Sequence, residues 1–311
     1  MLEDKLLSAV NNLWPEIWST ALFIYENPEL GSQEYKAVHR LKDILVKYNF
    51  SFHSPIHGLE TAFRAQLGEG KPVICLLAEY DALPELGHGC GHHLIAGASV
   101  GAAIALATLK ERWSGSLIVL GTPAEETTGA KVHLVRKGAF LDMDAALMFH
   151  PGHSNILNIT SQALEALEVS FFGYHGHSSQ GHRGNALVSL VNFFQETQNY
   201  RSFYYPQRQI DGVITSGGVT PNLIPEKTVG KFYLRAETIE LLKETINDFR
   251  GIALRVAEQN NTRVVLNNFE PRYLPMLTNR KLAEVFKEKA KLVGIKMDLL
   301  PRSIIGSMDM G

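Results

Sequence analysis

Glu79–His93, which reads EYDALPELGHGCGHH, brings three carboxylates, one cysteine and three histidines together within fifteen residues. Glycines on both sides of Cys90 allow the backbone to turn tightly around a small object. Thiolate and imidazole are ligands of zinc and neighbouring metals, and carboxylates complete such sites. The competing interpretation is a polar loop with one buried free cysteine, since a lone cysteine is more often a small core residue.

The residues around this stretch favour the metal site. An apolar run, Val73–Ala78, precedes it, and a pattern of small residues at helical spacing, Leu94–Ala107, follows it. A strand end followed by a polar loop and a helix is where open α/β sheets place their sites. We therefore expect the stretch to lie at the end of a strand of an α/β sheet.

Helices and strands alternate through the first half of the chain, which predicts a mixed, mainly parallel sheet flanked by helices. Helices are predicted at residues 1–25, 29–48, 94–110 and 130–137, and strands at 61–67, 73–78, 117–122 and 145–149. The strands at 61–67 and 73–78 are expected to be neighbours around a Gly68-Glu69-Gly70 turn.

The second half has a different order of elements. Strands at 164–172, 212–217, 228–236 and 263–269 and helices at 185–200 and 239–259 give the β-α-β-β-α-β pattern of a ferredoxin-like domain. We interpret residues 162–274 as an inserted domain. Residues 1–161 and 275–311 are then the two parts of a catalytic domain, the second with a helix and a strand at 297–300.

Composition excludes several classes of protein. The 311 residues carry a formal net charge of −2 without a basic run, so nucleic acid is not an expected partner. The N-terminus lacks the features of a signal peptide, and no apolar run reaches the ~18 residues of a membrane span. Two cysteines do not make a disulfide framework. The sequence predicts a cytoplasmic protein with no membrane partner.

Two further polar clusters follow later strands. Glu125 and Glu126 come directly after the strand at 117–122, and His150 ends the next strand in Phe149-His150-Pro151. Adjacent glutamates are usually a solvated surface pair, but their position after a buried strand favours a functional role. Three consecutive strand ends thus present possible metal ligands, and independent structural explanations would have to coincide three times.

The motifs AEYDALPELGHGCGHHLIA, GTPAEETTGAK and MFHPGH occur in this order and resemble a known signature. It is that of the metallopeptidase family that includes aminoacylases, carboxypeptidase G and succinyl-diaminopimelate desuccinylase. The resemblance is greatest to the amidohydrolase branch, with aminobenzoyl-glutamate hydrolase and acyl-dipeptide hydrolases. It implies a homodimeric hydrolase with two divalent ions per chain, zinc or manganese or cobalt. The implied substrate is an N-acyl amino acid, an aminobenzoyl-glutamate-like compound or a dipeptide, with a free carboxylate.

The resemblance also implies roles for single residues. Glu125 corresponds to the general base that deprotonates the metal-activated water and later protonates the leaving amine. Asp81 corresponds to the acid that orients a metal ligand. The positions that correspond to metal ligands are Cys90, as a bridging thiolate, His92, Glu126 and His150.

Three positions of the inserted domain match substrate-handling residues of the family. His177, in FFGYHGHSSQGHRGNAL, corresponds to a histidine that steadies the oxyanion in the partner's site. Asn222 and Arg235 correspond to groups that hold the substrate carboxylate, a task for which the planar guanidinium is suited. The alternatives are a polar turn residue for His177 and a solvated strand residue for Arg235.

The sequence departs from the family in two places. His93 stands where relatives more often have Asp or Asn, and the chain ends at SMDMG, where family members continue to a last histidine ligand. We therefore expect a C-terminally truncated member that binds two, one or no metal ions. The alternative function is a catalytically impaired, dimeric protein that binds metal or ligand. A single structural zinc is a third interpretation, in which the two glutamates have no purpose.

Overall fold

The computed structural model describes residues 2–152, 154–180, 184–297 and 302–304. The chain divides into two compact units, Met1–His153 and Ser154–Gly311. The domain boundaries proposed from the sequence, at 161/162 and 274/275, stay predictions. Among the described helices, none has both the length and the hydropathy that crossing a bilayer requires.

The first unit contains one sheet and the helices that pack on it. Its elements are α1 (Leu2–Glu26), α2 (Tyr35–Lys47), β1 (Ser51–His53), β2 (Phe63–Glu69), β3 (Val73–Ala78), α3 (His92–Ala107), β4 (Gly115–Gly121), α4 (Glu125–Thr128), α5 (Ala130–Arg136) and β5 (Ala145–Leu147). The strand order is β1-β2-β4-β3-β5. Strands β4, β3 and β5 run parallel, whereas β1, β2 and β4 are antiparallel. The predicted mixed sheet with flanking helices is confirmed.

One predicted pairing is wrong. β2 and β3 are not neighbours around the Gly68–Gly70 turn, because β4 lies between them and pairs with both. Every residue of β4 is buried. A strand that is apolar on both faces is most stable in the middle of a sheet, where both of its faces are covered. Tertiary burial therefore placed β4 between the two strands that the short turn connects.

Both faces of this sheet carry apolar clusters. On one face Leu41, Leu45 and Val100 belong to the main cluster that α1, α2 and α3 share with the sheet. On the other face Cys75 packs with Leu77, Ile118 and Leu120. Burial raises the pKa of the Cys75 thiol to about 12. Cys75 therefore fills the core as a neutral thiol.

The second unit contains the ferredoxin-like domain predicted from the sequence. Its elements are β6 (Ile159–Ser161), β7 (Ala163–Phe172), β8 (Gly176–His177), α6 (Ala186–Tyr204), β9 (Arg208–Ser216), β10 (Leu223–Ile224), β11 (Lys227–Ala236), α7 (Ile239–Gln259), β12 (Arg263–Asn268), α8 (Arg280–Leu292) and β13 (Arg302–Ile304). Four of the strands form an antiparallel sheet in the order β12-β7-β11-β9. Helices α6 and α7 contribute Phe193 and Phe249 to its core, against Phe171 and Phe232 of the strands.

Several sequence predictions fall outside the described residues. These are residues 298–300 of the predicted last strand, the SMDMG motif at 307–311, and His153 and His182 of the sequence motifs. Within the described part, β13 pairs in parallel with β6.

Candidate metal centre

Three loops of the first unit meet at one edge of its sheet. β3 leads to Asp81 and then to α3, β4 leads to Glu125 and Glu126, and β5 is followed by His150. Because β3, β4 and β5 are parallel, their carboxyl ends lie at the same edge of the sheet. This edge is the usual position of sites in α/β sheets.

Gly91 permits the close approach of two of these loops. It caps the N-terminus of α3 in the left-handed conformation, with φ of 82°. A Cβ atom at this position would lie 2.6 Å from Cγ of Pro151. Glycine therefore serves both the turn and the contact between the Cys90 loop and the loop that carries His150.

Asp81 organises the centre from a buried position. Its Oδ1 lies 2.9 Å from Nδ1 of His92, and its Oδ2 accepts the backbone N–H of Glu126 at 3.0 Å. His92 is buried as well. With Nδ1 engaged by the carboxylate, the Nε2 atom is the one available to a metal, which is the arrangement of oriented histidine ligands.

The donor atoms around Nε2 of His92 fit a divalent cation. Nε2 lies 3.7 Å from Oε1 of Glu126, and one ligand atom each from His92, Glu125 and Glu126 lie within 4.8 Å of one another. Two donors that share one tetrahedral ion are about 3.3–3.6 Å apart. The chemistry of this donor set, imidazole with carboxylates, suits zinc and its neighbours.

Glu79 is a further carboxylate to which sequence reasoning gave no role. It is fully buried, its Oε2 lies 3.6 Å from Nε2 of His92, and its Oε1 is bonded to the ammonium group of Lys131. The ion pair with Lys131 offsets the cost of burying the carboxylate. The sequence signal that could have pointed to Glu79 was a charged residue directly after an apolar strand. Its contact with Lys131 could be seen only in the folded structure.

Two predicted ligands lie close by without belonging to this group. Cys90 is half-buried in the loop before α3. His150 is exposed, its Nδ1 lies 2.8 Å from the carbonyl oxygen of Pro151, and its ring centroid is 6.4 Å from that of His92. Among the described residues, the compact group of ligand atoms comprises His92, Glu125 and Glu126. The ligand roles of Cys90 and His150 stay predictions.

The sequence profile of peptidase family M20/M25/M40 matches residues 75–311. The chain belongs to this peptidase family. Membership confirms the predicted family and enzyme class, a hydrolase that acts on carbon–nitrogen bonds.

Individual relatives agree with the predicted branch of the M20 family. The chain is 31% identical to the Xaa-Arg dipeptidase of Mus musculus over 334 aligned residues, which cover 100% of this chain and 77% of the relative. It is 29% identical to one of the chains of the p-aminobenzoyl-glutamate hydrolase of Escherichia coli, over 83% of this chain and 58% of the relative. A dinuclear metal-binding M20 peptidase of Bacillus subtilis has the same fold, with a TM-score of 0.75, 18% identity, and coverage of 96% of this chain and 85% of that chain.

His93, the expected departure from the family pattern, packs in a cluster of rings. Its ring centroid lies 5.3 Å from that of His88 and 4.9 Å from that of Tyr25. Burial lowers the pKa of His93, and burial together with the charges of His93 and His92 lowers the pKa of His88 to about 4. Both rings are therefore neutral near pH 7. His93 is not part of the compact ligand group among the described residues.

The three remaining predicted residues of this M20 chain lie in the second unit. β8 and β10 pair His177 with Leu223, and Ser178 N–H donates to the carbonyl oxygen of Asn222 at 3.0 Å, so His177 and Asn222 are neighbours. β11 starts just after β10, and Arg235 lies near the other end of β11. Eight residues separate Arg235 from the start of this strand, which is roughly 26 Å along it. The fold of this unit thus brings His177 and Asn222 together but not Arg235, and all three roles stay predictions.

Proposed function

We propose that this chain is a two-metal amidohydrolase that cleaves an amide bond next to a free carboxylate. The proposed substrates are an N-acyl amino acid, an aminobenzoyl-glutamate-like compound or a dipeptide. The observation that carries the proposal is the convergence of His92, Glu125 and Glu126 within 4.8 Å at the edge of the sheet. The dipeptidase and aminobenzoyl-glutamate hydrolase relatives support the substrate class.

The proposed ligands are Cys90, His92, Glu126 and His150. Zinc, manganese or cobalt would suit such a mixed donor set. Bound divalent ions supply Lewis-acid polarisation of the scissile carbonyl and lower the pKa of water toward neutrality. Asp81 keeps the Nε2 atom of His92 directed at this site through its contact with Nδ1.

Glu125 is the proposed general base. It is half-buried and stands beside Glu126, whose carboxylate faces His92. From this position its carboxylate takes a proton from the attacking water and returns it to the leaving amine, which keeps the proton count balanced. Because Glu126 serves as a ligand in this scheme, the adjacent glutamates have separate tasks.

The second unit supplies the proposed substrate contacts. Arg235 and Asn222 would hold the free carboxylate of the substrate. His177 would steady the oxyanion in the partner's site of a homodimer. An exposed apolar sheet edge supports dimerisation: β9 is an edge strand, with Val213 and Ile214 59% and 43% exposed. The cytoplasmic location stays a prediction.

Metal analysis and a substrate panel together test the proposal. The purified chain is assayed for bound metal and for hydrolysis of N-acyl amino acids, aminobenzoyl-glutamate and dipeptides. We expect two equivalents of metal per chain and turnover of at least one of these classes. One equivalent or none, without hydrolysis, would support the alternative of a non-catalytic binding protein.

Glu125→Gln tests the assignment of the base. The amide cannot accept the proton, so we expect kcat to fall by about 10²- to 10⁴-fold, with metal content unchanged. Glu111→Gln, at an exposed glutamate of the same unit, serves as the control and should keep full activity. Undiminished turnover by Glu125→Gln would remove this residue from the mechanism.

A further inference from the structure

Glu34 is a fully buried carboxylate that lies far from Glu125 in the sequence. It directly precedes α2 but does not cap that helix with its side chain. Instead its Oε1 accepts the backbone N–H of Ala124 at 2.8 Å, and its Oε2 accepts the hydroxyl of Thr61 at 2.6 Å. Both oxygens of the carboxylate therefore have defined donors, and one of these donors belongs to the residue before Glu125.

Ala124 needs such a partner. It adopts the left-handed conformation, with φ of 55° and ψ of 41°, which is energetically unfavourable for a residue with a Cβ atom. It is also fully buried, and a buried amide without an acceptor is costly. The hydrogen bond to Glu34 therefore stabilises the turn through which the chain leaves β4 and enters α4.

The segment before Glu34 packs against the same turn. A Cβ atom at Gly31 would lie 2.2 Å from Oγ1 of Thr127 and 2.9 Å from Cα of Ala124. Only glycine allows this approach. The position of Glu34 relative to Ala124 is thus fixed by packing as well as by the hydrogen bond.

Two buried carboxylates hold the backbone on either side of Glu125. Glu34 accepts the N–H of Ala124, and Asp81 accepts the N–H of Glu126 at 3.0 Å. Thr61, the second donor to Glu34, accepts through its carbonyl oxygen the hydroxyl of Tyr80 at 2.6 Å. The backbone of Glu125 is therefore flanked by two amides that the buried interior holds in place.

We propose that Glu34 is a positioning residue for hydrolysis, which acts through the Ala124 N–H to aim the Glu125 carboxylate at the centre. The inference rests on the proposed role of Glu125 as general base. A displaced base remains chemically competent but meets the reacting water less often. Loss of the Glu34 contact should therefore lower kcat more than it changes KM, since misplacement of about 1 Å can cost about 10²-fold in rate.

The test compares Glu34→Ala with Glu34→Gln in the metal-loaded full chain. We expect Glu34→Ala to lower kcat by about 10- to 100-fold, with KM changed less than about threefold and metal content retained. Glu34→Gln keeps an acceptor for Ala124 N–H, and the Thr61 hydroxyl can rotate to accept from its amide. This conservative variant should keep kcat within about threefold of the wild type.

A matched control separates positioning from a general loss of stability. Glu165 is a buried carboxylate of the second unit, bonded to Asn268 and Arg272. Glu165→Ala should lower stability without changing kcat per folded molecule. The double variant Glu34→Ala/Glu125→Gln should be no slower than Glu125→Gln alone, because both changes act on the same base. Unchanged kcat in metal-loaded Glu34→Ala would overturn the proposal, and so would a fall that arises only from lost metal.

A second measurement does not depend on turnover. Hydrogen exchange of the peptide 119–128 should show the Ala124 amide at least about tenfold less protected in Glu34→Ala than in the wild type. If the wild type hydrolyses nothing in the panel, the proposed function fails. Hydrogen exchange then still shows whether Glu34 holds the Ala124 amide. Should Glu34→Ala not fold, Thr61→Val loses only the hydroxyl contact and should give a smaller change in the same direction. Unchanged protection in the folded variant would refute the role of Glu34.

Discussion

At the scale of single residues, the candidate centre is surrounded by buried carboxylates with defined hydrogen-bond donors. Asp81 divides its two oxygens between the imidazole of His92 and the backbone of Glu126. Glu79 is paired with Lys131. Each acid connects a side chain from one strand end to a group from another, so the geometry of the centre depends on how completely these oxygens are satisfied.

Asp81→Asn should weaken metal binding. An asparagine at this position offers one acceptor and one donor group, so either His92 Nδ1–H or the Glu126 amide loses its acceptor. We expect metal affinity to fall by about 10- to 100-fold, as is usual when the partner of a histidine ligand is changed. Competition with a chelator of known affinity measures the change.

Asp142→Asn is the control for this variant. Asp142 is an exposed carboxylate whose Oδ2 lies 2.6 Å from Nη2 of Arg64, and it precedes β5, at the opposite end of that strand from the loop that carries His150. Its substitution should leave metal affinity unchanged. Equal affinity in wild type and Asp81→Asn would show that His92 does not need Asp81 for its orientation.

Packing between elements determines where His92 lies. It is the first residue of α3, and α3 packs on α1 through small residues. A Cβ atom at Gly97 would lie 2.9 Å from Cβ of Ala21, and one at Gly101 would lie 2.9 Å from Cγ2 of Ile17. The two helices therefore approach closely, and their contact fixes the helix that presents the histidine.

Gly97→Ala and Gly251→Ala should have opposite effects on stability. Both positions are inside helices, where alanine has the better propensity by about 1 kcal/mol. At Gly97 the added methyl meets Ala21, so we expect the free energy of unfolding to fall by about 1–3 kcal/mol. At Gly251 of α7 nothing lies within 4 Å of the added atom, so stability should rise by about 0.5–1 kcal/mol. Urea denaturation of the two variants distinguishes packing from propensity, and a stabilised Gly97→Ala would contradict the close contact.

On the scale of the whole molecule, each unit has its own core and its own buried ionic contacts. In the second unit Glu165 is bonded to Arg272 and Asn268. Burial alone would raise the pKa of Glu165, but the hydrogen bonds from Arg272 and Asn268 outweigh it and lower that pKa below its ordinary value of 4.5. The stabilisation from this carboxylate is therefore present above about pH 4.5 and is lost as the pH falls through the folded-state value.

Glu165→Gln should reduce the acid sensitivity of the protein. At pH 7 the variant loses the charge that pairs with Arg272, and we expect its free energy of unfolding to fall by about 1–3 kcal/mol. The difference from wild type should narrow as the pH is lowered below 4.5, because the wild-type carboxyl becomes protonated. Urea midpoints at pH 7 and at pH 4 measure this. A difference that does not depend on pH would show that the ionised carboxylate is not the stabilising form.

The sequence by itself determined the elements whose patterns are local, the fold class and the family. Helix α7 has the predicted bounds, Ile239–Gln259, because its apolar residues recur at helical spacing. The fold class followed from the alternation of helices and strands, and the family followed from the motifs around Cys90 and Glu125, which are also local. The tertiary structure alone decided that β4 separates β2 from β3, that Lys131 pairs with Glu79, and that Glu34 holds Ala124, 90 residues away. These contacts join distant segments through burial and hydrogen bonding, and such pairings leave no periodicity in the sequence on either side.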